Sequence, residues 1–270
     1  MMRRGCAVLA TNRSTPASRV LDEPAFVLQS FDWSETSLIV EVLTRHLGRV
    51  TLVAKGAKRP SSSFRPILLP LQVLKVTYSG DAEIRTLKSA LWGGGNVMPK
   101  GEALLSGFYL NELILRLLQR DDPHPELFDI YAQTVSILAT QDESLKAPAL
   151  RSFELLLLKD LGWLPDFKRQ SLTLQPLKED ESYAWIAEVG LREAGDAEQG
   201  GLIGLTGKSW RDLGVALSLP DPQVPLIRVC AEMASQHRQS LQSQLRSVLH
   251  YHCGVSKLRT RQFMMDLQSL

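Results

Sequence analysis

The chain has 270 residues, of which 44% are hydrophobic and 22% charged, the composition of an ordinary soluble globular protein with room for two domains or one large one. A formal net charge of +2 excludes any inference about partners from total charge. Three widely spaced cysteines (Cys6, Cys230, Cys253) exclude a disulfide framework, and no apolar run reaches the ~18–20 residues of a membrane-spanning helix.

The first 20 residues are basic, free of acids and rich in Ser and Thr. Their apolar patch is shorter than the ~7–15 residues of a secretory core, so export is not expected. The segment could mimic an organellar transit peptide, but a disordered N-terminal extension is the simpler expectation. Residues 21–96 then read as a run of short strands: "AFVLQSFDW", "SLIVEVLT", "GRVTLVAKG", "ILLPLQVLKVTYSG" and "AEIRTLKSALW", rich in β-branched and aromatic residues and separated by small turns. Pro70 inside the fourth run argues for an edge or a bulge there. Five such runs in about 70 residues suggest a small barrel.

The triglycine Gly93–Gly95 lacks the Lys-Ser/Thr of a phosphate-binding loop and reads as a hinge between domains. Helical periodicity follows, from residue 97 to the end. Leu104, Phe108, Leu113, Leu117 and Leu118 share roughly one face of a first helix. A second helix starts at the "DDPHPE" signal, and a third, "LKAPALRSFELLLLKDLG", ends at Gly162, a suitable cap. Residues 166–225 give a weak, polar, Gly-rich signal with a strand candidate in "YAWIAEVG" and a short helix near "GKSWRDLG". A final helical block runs from Pro225 to about His252, with a short helix after Ser256. The fold class is therefore α+β, an N-terminal β-barrel followed by a mainly α-helical C-terminal domain.

Enzymatic chemistry finds little support. No serine sits in a Gly-x-Ser-x-Gly elbow, and the paired acids Asp121–Asp122 and Asp180–Glu181 stand at helix starts or in polar loops, where acids are favoured anyway. His250, His252 and Cys253 lie within four residues, but on a helix the two histidines point apart, only Cys253 could join one neighbour over a turn, and no second ligand cluster exists, so no metal and no cofactor are expected. Cys230 reads as a core residue.

Charge distribution is more informative than charge. From Val42 to Gly80 there is no Asp or Glu, while Arg45, Arg49, Lys55, Lys58, Arg59, Arg65 and Lys75 are present. A second acid-free stretch, Met233–Met265, includes Lys257, Arg259 and Arg261. Either could be a solvated face; together they favour a polyanion partner. A barrel with basic loops suits single-stranded nucleic acid, with cations along the phosphates and aromatics stacked on bases. Phe31, Trp33, Phe64 and Tyr78 lie in or beside the strands. Core packing is the default for such aromatics, and Phe64, beside Arg65 in the basic loop, is the expected exception. If all seven cations of the first stretch met phosphates, the salt slope on a single strand would be about −5.

The order of "SETS" (Ser34–Ser37), "GRV" (Gly48–Val50), "AKGAKR" (Ala54–Arg59), the proline at Pro70, "FYLNELILRLL" (Phe108–Leu118), "HPELFDIY" (His124–Tyr131) and "LRSFELLLLKDLGWLPDF" (Leu150–Phe167) closely resembles the RecO family of bacterial recombination mediators over residues 20–265. The resemblance implies that the barrel is an OB-fold. It implies a non-catalytic protein that binds single- and double-stranded DNA, anneals strands, pairs with RecR and helps load RecA on DNA coated by single-stranded DNA-binding protein (SSB). The setting would be the bacterial cytoplasm, at the nucleoid, and the chain alone a monomer. Many members carry a four-cysteine zinc site; residues 166–221 contain no cysteine, so the chain resembles a zinc-free branch, and residues 166–225 would form a zinc-finger-like, cysteine-free insertion. The DNA-binding residues expected are Arg45, Arg49, Lys55, Lys58, Arg59, Phe64 and Arg65, with Lys257, Arg259 and Arg261 as a weaker second set. By position, Arg151 would receive the carboxylate of the acidic SSB tail, with Tyr131, Leu155 and Leu156 lining the apolar part. The alternatives are a protein adaptor that binds DNA only incidentally and a nuclease, the latter disfavoured because no acidic cluster stands out.

Overall fold

The computed structural model describes residues 19–95, 98–195, 204–260 and 262–263. The expectations for residues 1–18, including the N-terminal extension and Cys6, lie outside that range, as does Arg261.

Five strands, β1 (Arg19–Asp32), β2 (Leu38–Thr44), β3 (Gly48–Ala54), β4 (Val73–Ser79) and β5 (Ile84–Trp92), close a barrel in the order β1-β2-β3-β5-β4. All neighbours are antiparallel except β3 and β5, which pair in parallel from Thr51↔Ile84 to Val53↔Thr86. Alternation gives the barrel its interior, with Ala25, Val27, Val40, Val42, Val50, Leu52, Leu74 and Val76 all buried there. The fourth run is shorter than its sequence suggests. Ile67–Gln72 lies outside any strand, and Pro70 touches the barrel only as an isolated bridge to Val27. Proline has no N–H to give a ladder, so the strand begins after it.

From Ala25 to Leu28, β1 is buried on both faces. Ala25 and Val27 point into the barrel, while Phe26 and Leu28 join the core of the helical domain. Phe26 packs against Phe128 and Tyr131 with ring centroids 5.2 and 4.8 Å away. That core is built on α1 (Glu102–Leu117), α2 (Pro125–Leu138) and α3 (Glu143–Asp160). The buried stripe of α1 is Ala103, Gly107, Leu110, Leu113, Ile114 and Leu117; Leu104 and Phe108 flank it. Gly162 ends α3 at φ +74 in a Schellman arrangement: its N–H donates to Lys159 O (3.0 Å) and that of Trp163 to Leu158 O (2.9 Å).

Residues 166–225 are more regular than expected. β6 (Ser182–Ile186) pairs with β7 (Gly190–Glu193) and β8 (Leu205–Thr206), followed by α4 (Gly207–Leu217). Phe167, Trp185 and Trp210, all buried, pack mutually with centroids 4.9–6.4 Å apart. Three aromatics separated by polar sequence leave no periodic signal, yet together they fill a core. The last helical block is two helices, α5 (Gln223–Glu232) and α6 (Ser235–His252), broken at Met233–Ala234. Cys230 is buried as expected, and burial pushes its thiol up to about 12.

Candidate nucleic-acid interface

Strand pairing decides which loops share an end of the barrel. Asp32 faces Leu38, Leu38 faces Ala54, and Leu74 faces Trp92, so the segments 33–37, 55–72 and 93–95 all leave from one end. The turns 45–47 and 80–83 lie at the other, against the helical domain. There Arg45 donates two bonds to Asp129 of α2 (2.9 and 2.8 Å), Arg85 pairs with Asp121 (2.7 Å), and Arg120 bonds both Glu41 and Glu83.

The seven cations of the first basic stretch divide accordingly. Arg45 is spent on Asp129, and its hydrogen bonds, with its charge, hold the Asp129 carboxyl below its ordinary range. Arg49, half-buried, donates to Leu115 O of α1, and burial lowers its pKa. Gly48, beside it at φ +71, allows the approach: a Cβ there would meet Asp122 O at 2.1 Å. Both arginines are thus engaged by the helical domain, at the barrel end opposite the basic loop. The acid-free sequence could not reveal this because both partners, Asp129 and the Leu115 carbonyl, belong to the other domain.

Lys58 has a third role. Its Nζ pairs with Asp32 (3.0 Å) and donates to Ser34 O (3.2 Å), and its backbone N–H donates to Thr36 O (3.0 Å). The basic loop is thereby tied to the β1–β2 loop. Lys55, Arg59, Arg65 and Lys75 are exposed and have no ion pair or side-chain hydrogen bond among the described residues.

The aromatics divide between core and surface. Phe64 packs against the barrel core, which takes its ring away from a base, and Tyr78 is buried within it. The open rings are Phe31, Trp33 and Trp92, at 46%, 61% and 60% exposure. Trp33 stands between Asp32 and Ser34, the two residues that Lys58 engages. An exposed indole held beside a basic loop is what a stacking platform requires. Trp33 and Trp92 were legible only as aromatics next to turns; their exposure follows from lying beyond the last inward-facing position of their strands.

The second set sits elsewhere. Lys257 and Arg259 are exposed, and the segment is fastened to α1: Glu112 accepts from the N–H of Arg259 (2.9 Å), and from the N–H and hydroxyl of Thr260 (2.9 and 2.7 Å). Burial pushes the Glu112 carboxyl up, but the Thr260 and Arg259 bonds outweigh it and hold it below the ordinary range.

The residues expected to receive an acidic tail are mostly interior. Tyr131 (0% exposed), Leu155 and Leu156 are core, and the Tyr131 hydroxyl donates to Asn111 (2.5 Å). They cannot line a surface, because α3 is covered on several sides by α2, α5 and α6. Arg151 opens on a pocket of about 210 Å³ lined also by Ser106, Tyr109, Leu150 and Arg246. Its Nη2 donates to Glu154 Oε1 (2.7 Å), which also accepts from the Tyr109 hydroxyl (2.6 Å), and burial raises the Glu154 pKa.

For a metal, the described residues contain no group of three or more His, Cys, Asp or Glu side chains. His252 instead stacks on Trp163 at 4.0 Å, and burial pushes the Cys253 thiol up to about 11. No helix among the described residues is long and apolar enough to cross a membrane.

Two family models match, "Recombination protein O N terminal" over residues 19–93 and "Recombination protein O C terminal" over residues 98–262. The chain belongs to the recombination protein O family. The two matches fall on the barrel and on the domain that begins with α1. Among curated relatives, the DNA repair protein RecO of Variovorax paradoxus (strain S110) is 55% identical over 258 residues, covering 94% of this chain and 99% of the relative. Those of Polaromonas naphthalenivorans (strain CJ2) and Delftia acidovorans (strain DSM 14801 / SPH-1) are 55% identical with the same coverage.

Proposed function

We propose that the chain is a non-catalytic DNA-binding mediator of recombinational repair. It grips single strands at the open end of the barrel, anneals complementary strands, and works with RecR to load RecA on SSB-coated DNA. Its family membership and the "DNA repair protein" name of its relatives support the repair assignment. One observation carries the DNA site: Lys55, Arg59 and Arg65, without ion pairs among the described residues, share a barrel end with the exposed Trp33. Neutralised phosphates let two strands approach, which is the physical requirement of annealing. Double-stranded DNA would meet the same cations through phosphates alone.

Recruitment to coated DNA is a separate contact. The Arg151 pocket, with Arg246 on its wall, suits a terminal carboxylate. The apolar side chains of an SSB tail would have to lie against its rim, not against Tyr131, Leu155 or Leu156. Annealing of two complementary strands, each coated with SSB that has or lacks its acidic tail, tests both sites. Annealing only with the tail present supports grip and recruitment together. Annealing of naked strands but never of coated ones removes the tail site, and failure with both removes the mediator reading.

A further inference from the structure

Beside the DNA end of the barrel, β1 outruns its neighbour. Its pairing with β4 ends at Phe26↔Val73, whereas its pairing with β2 continues to Asp32↔Leu38. From Gln29 to Asp32 the strand is therefore hydrogen-bonded on one side only. Alternation fixes which groups are open. Trp33 N–H turns toward β2 to reach Ser37 O (3.2 Å), and Leu28 O turns the other way to accept from Asn111 (3.0 Å). Ser30 and Asp32 thus present N–H and C=O away from β2, with no partner among the described residues. That edge borders a groove of about 430 Å³ between β1 and α1. Its apolar walls include Pro70, Phe108 and Leu115, and Arg116 and Arg259 stand at its rim.

We infer that this groove binds an extended peptide segment of a partner protein, added to β1 as a further strand and carrying acidic residues between apolar ones. An unpaired edge offers donors and acceptors alternately along its length, and only another polypeptide backbone matches both. A DNA sugar-phosphate backbone has no donors for the outward carbonyls. Side chains of an added strand alternate, so one set would meet the Phe108 and Leu115 wall. The rim favours acids in the partner: Arg259 has no ion pair among the described residues, and Glu112, the carboxylate that lines the groove, is engaged by Arg116, Arg259 N–H and Thr260. The groove lies between the basic barrel end and α1, so a bound peptide would sit next to the DNA grip.

The test uses the full chain and a fluorescent seven-residue peptide alternating isoleucine and aspartate, followed by anisotropy. Its control is the same peptide N-methylated at alternate amides, which removes the donors and leaves charge and side chains. The expected result is saturable binding, weakened at least about tenfold by N-methylation and by Arg259→Glu. Ser30→Pro should weaken it similarly, and because a proline here could disturb the barrel, the N-methylated peptide provides the same test without a variant. Equal binding of both peptides, or no binding at millimolar concentration, would overturn the inference. So would binding reduced by a polythymidine strand whose own affinity falls in Arg259→Glu and Ser30→Pro, which would make the groove part of the nucleic-acid path. A concentration-dependent dimer by light scattering, abolished by Ser30→Pro, would give the edge to a second copy of the chain and would equally overturn it.

Discussion

Neutralising Lys55, Arg59 and Arg65 to serine should change the salt dependence of single-strand binding by a calculable amount. Each phosphate contact on a single strand contributes about 0.7 to the slope of log K against log salt. The sequence offers seven cations between Val42 and Gly80, but the structure commits Arg45 to Asp129, Arg49 to Leu115 O and Lys58 to Asp32. Lys55, Arg59, Arg65 and Lys75 remain, so the wild-type slope from this stretch should be about −3, not −5. The triple variant should fall to about −1, with an affinity near 0.1 M salt roughly 100-fold lower, or about 3 kcal/mol. All three side chains are exposed, so stability should stay within about 0.5 kcal/mol of wild type and the loss cannot be charged to unfolding. Fluorescence titration of a labelled polythymidine strand at four or more salt concentrations, with thermal melting alongside, measures both. Arg45→Ser supplies the contrast: its slope should be near wild type, since its charge already faces a carboxylate. A triple variant with an unchanged slope, or an Arg45→Ser variant that loses as much, would refute the division of the basic stretch.

Other consequences are independent of that one. Trp33→Ala should cost about 1–3 kcal/mol of single-strand affinity with little change in salt slope, whereas Phe64→Ala should lower the melting temperature through lost packing and leave the affinity per folded molecule nearly intact. Gly48→Ala should lower the melting temperature and increase protease cleavage between the barrel and α1, because a Cβ at φ +71 meets the backbone of Asp122. Glu112 has a folded pKa below its unfolded one, so it stabilises the Arg259–Thr260 segment fully above the ordinary carboxylate pKa of about 4.3, and that contribution disappears as pH falls through the lowered value. The stability difference between wild type and Glu112→Gln should therefore be of the order of 2 kcal/mol near neutrality and shrink in acid, as read by urea denaturation at a series of pH values.

Much of the fold was legible because it is local. The β-branched runs "SLIVEVLT" and "GRVTLVAKG" and the Gly162 cap are set by neighbours in sequence, and the structure has strands and cap where the pattern puts them. What was not legible depends on contacts between distant segments. The 166–225 region looked irregular because its core is three aromatics 18–43 positions apart, Phe167, Trp185 and Trp210. Arg45 and Arg49 looked free because their partners lie 84 and 66 residues away.

The same reasoning explains the placement of Phe64 and Trp33. A phenylalanine flanked by Ser63 and Arg65 looks as if it must face outward. Yet a loop of 18 residues between β3 and β4 cannot lie flat over the barrel end without an anchor, and Phe64 and Ile67 supply it by reaching the interior cluster. Trp33 follows a strand whose last inward residues are already matched by β2, so its ring has no place in the core. Holding the loop by Phe64 on the inside and by Lys58 on the β1–β2 segment leaves Lys55, Arg59 and Arg65 displayed without fixing where each side chain points. A grip on phosphates of variable spacing needs that combination, an anchored backbone with long uncommitted cations, and a loop lacking the hydrophobic anchor would lose entropy on every strand it bound.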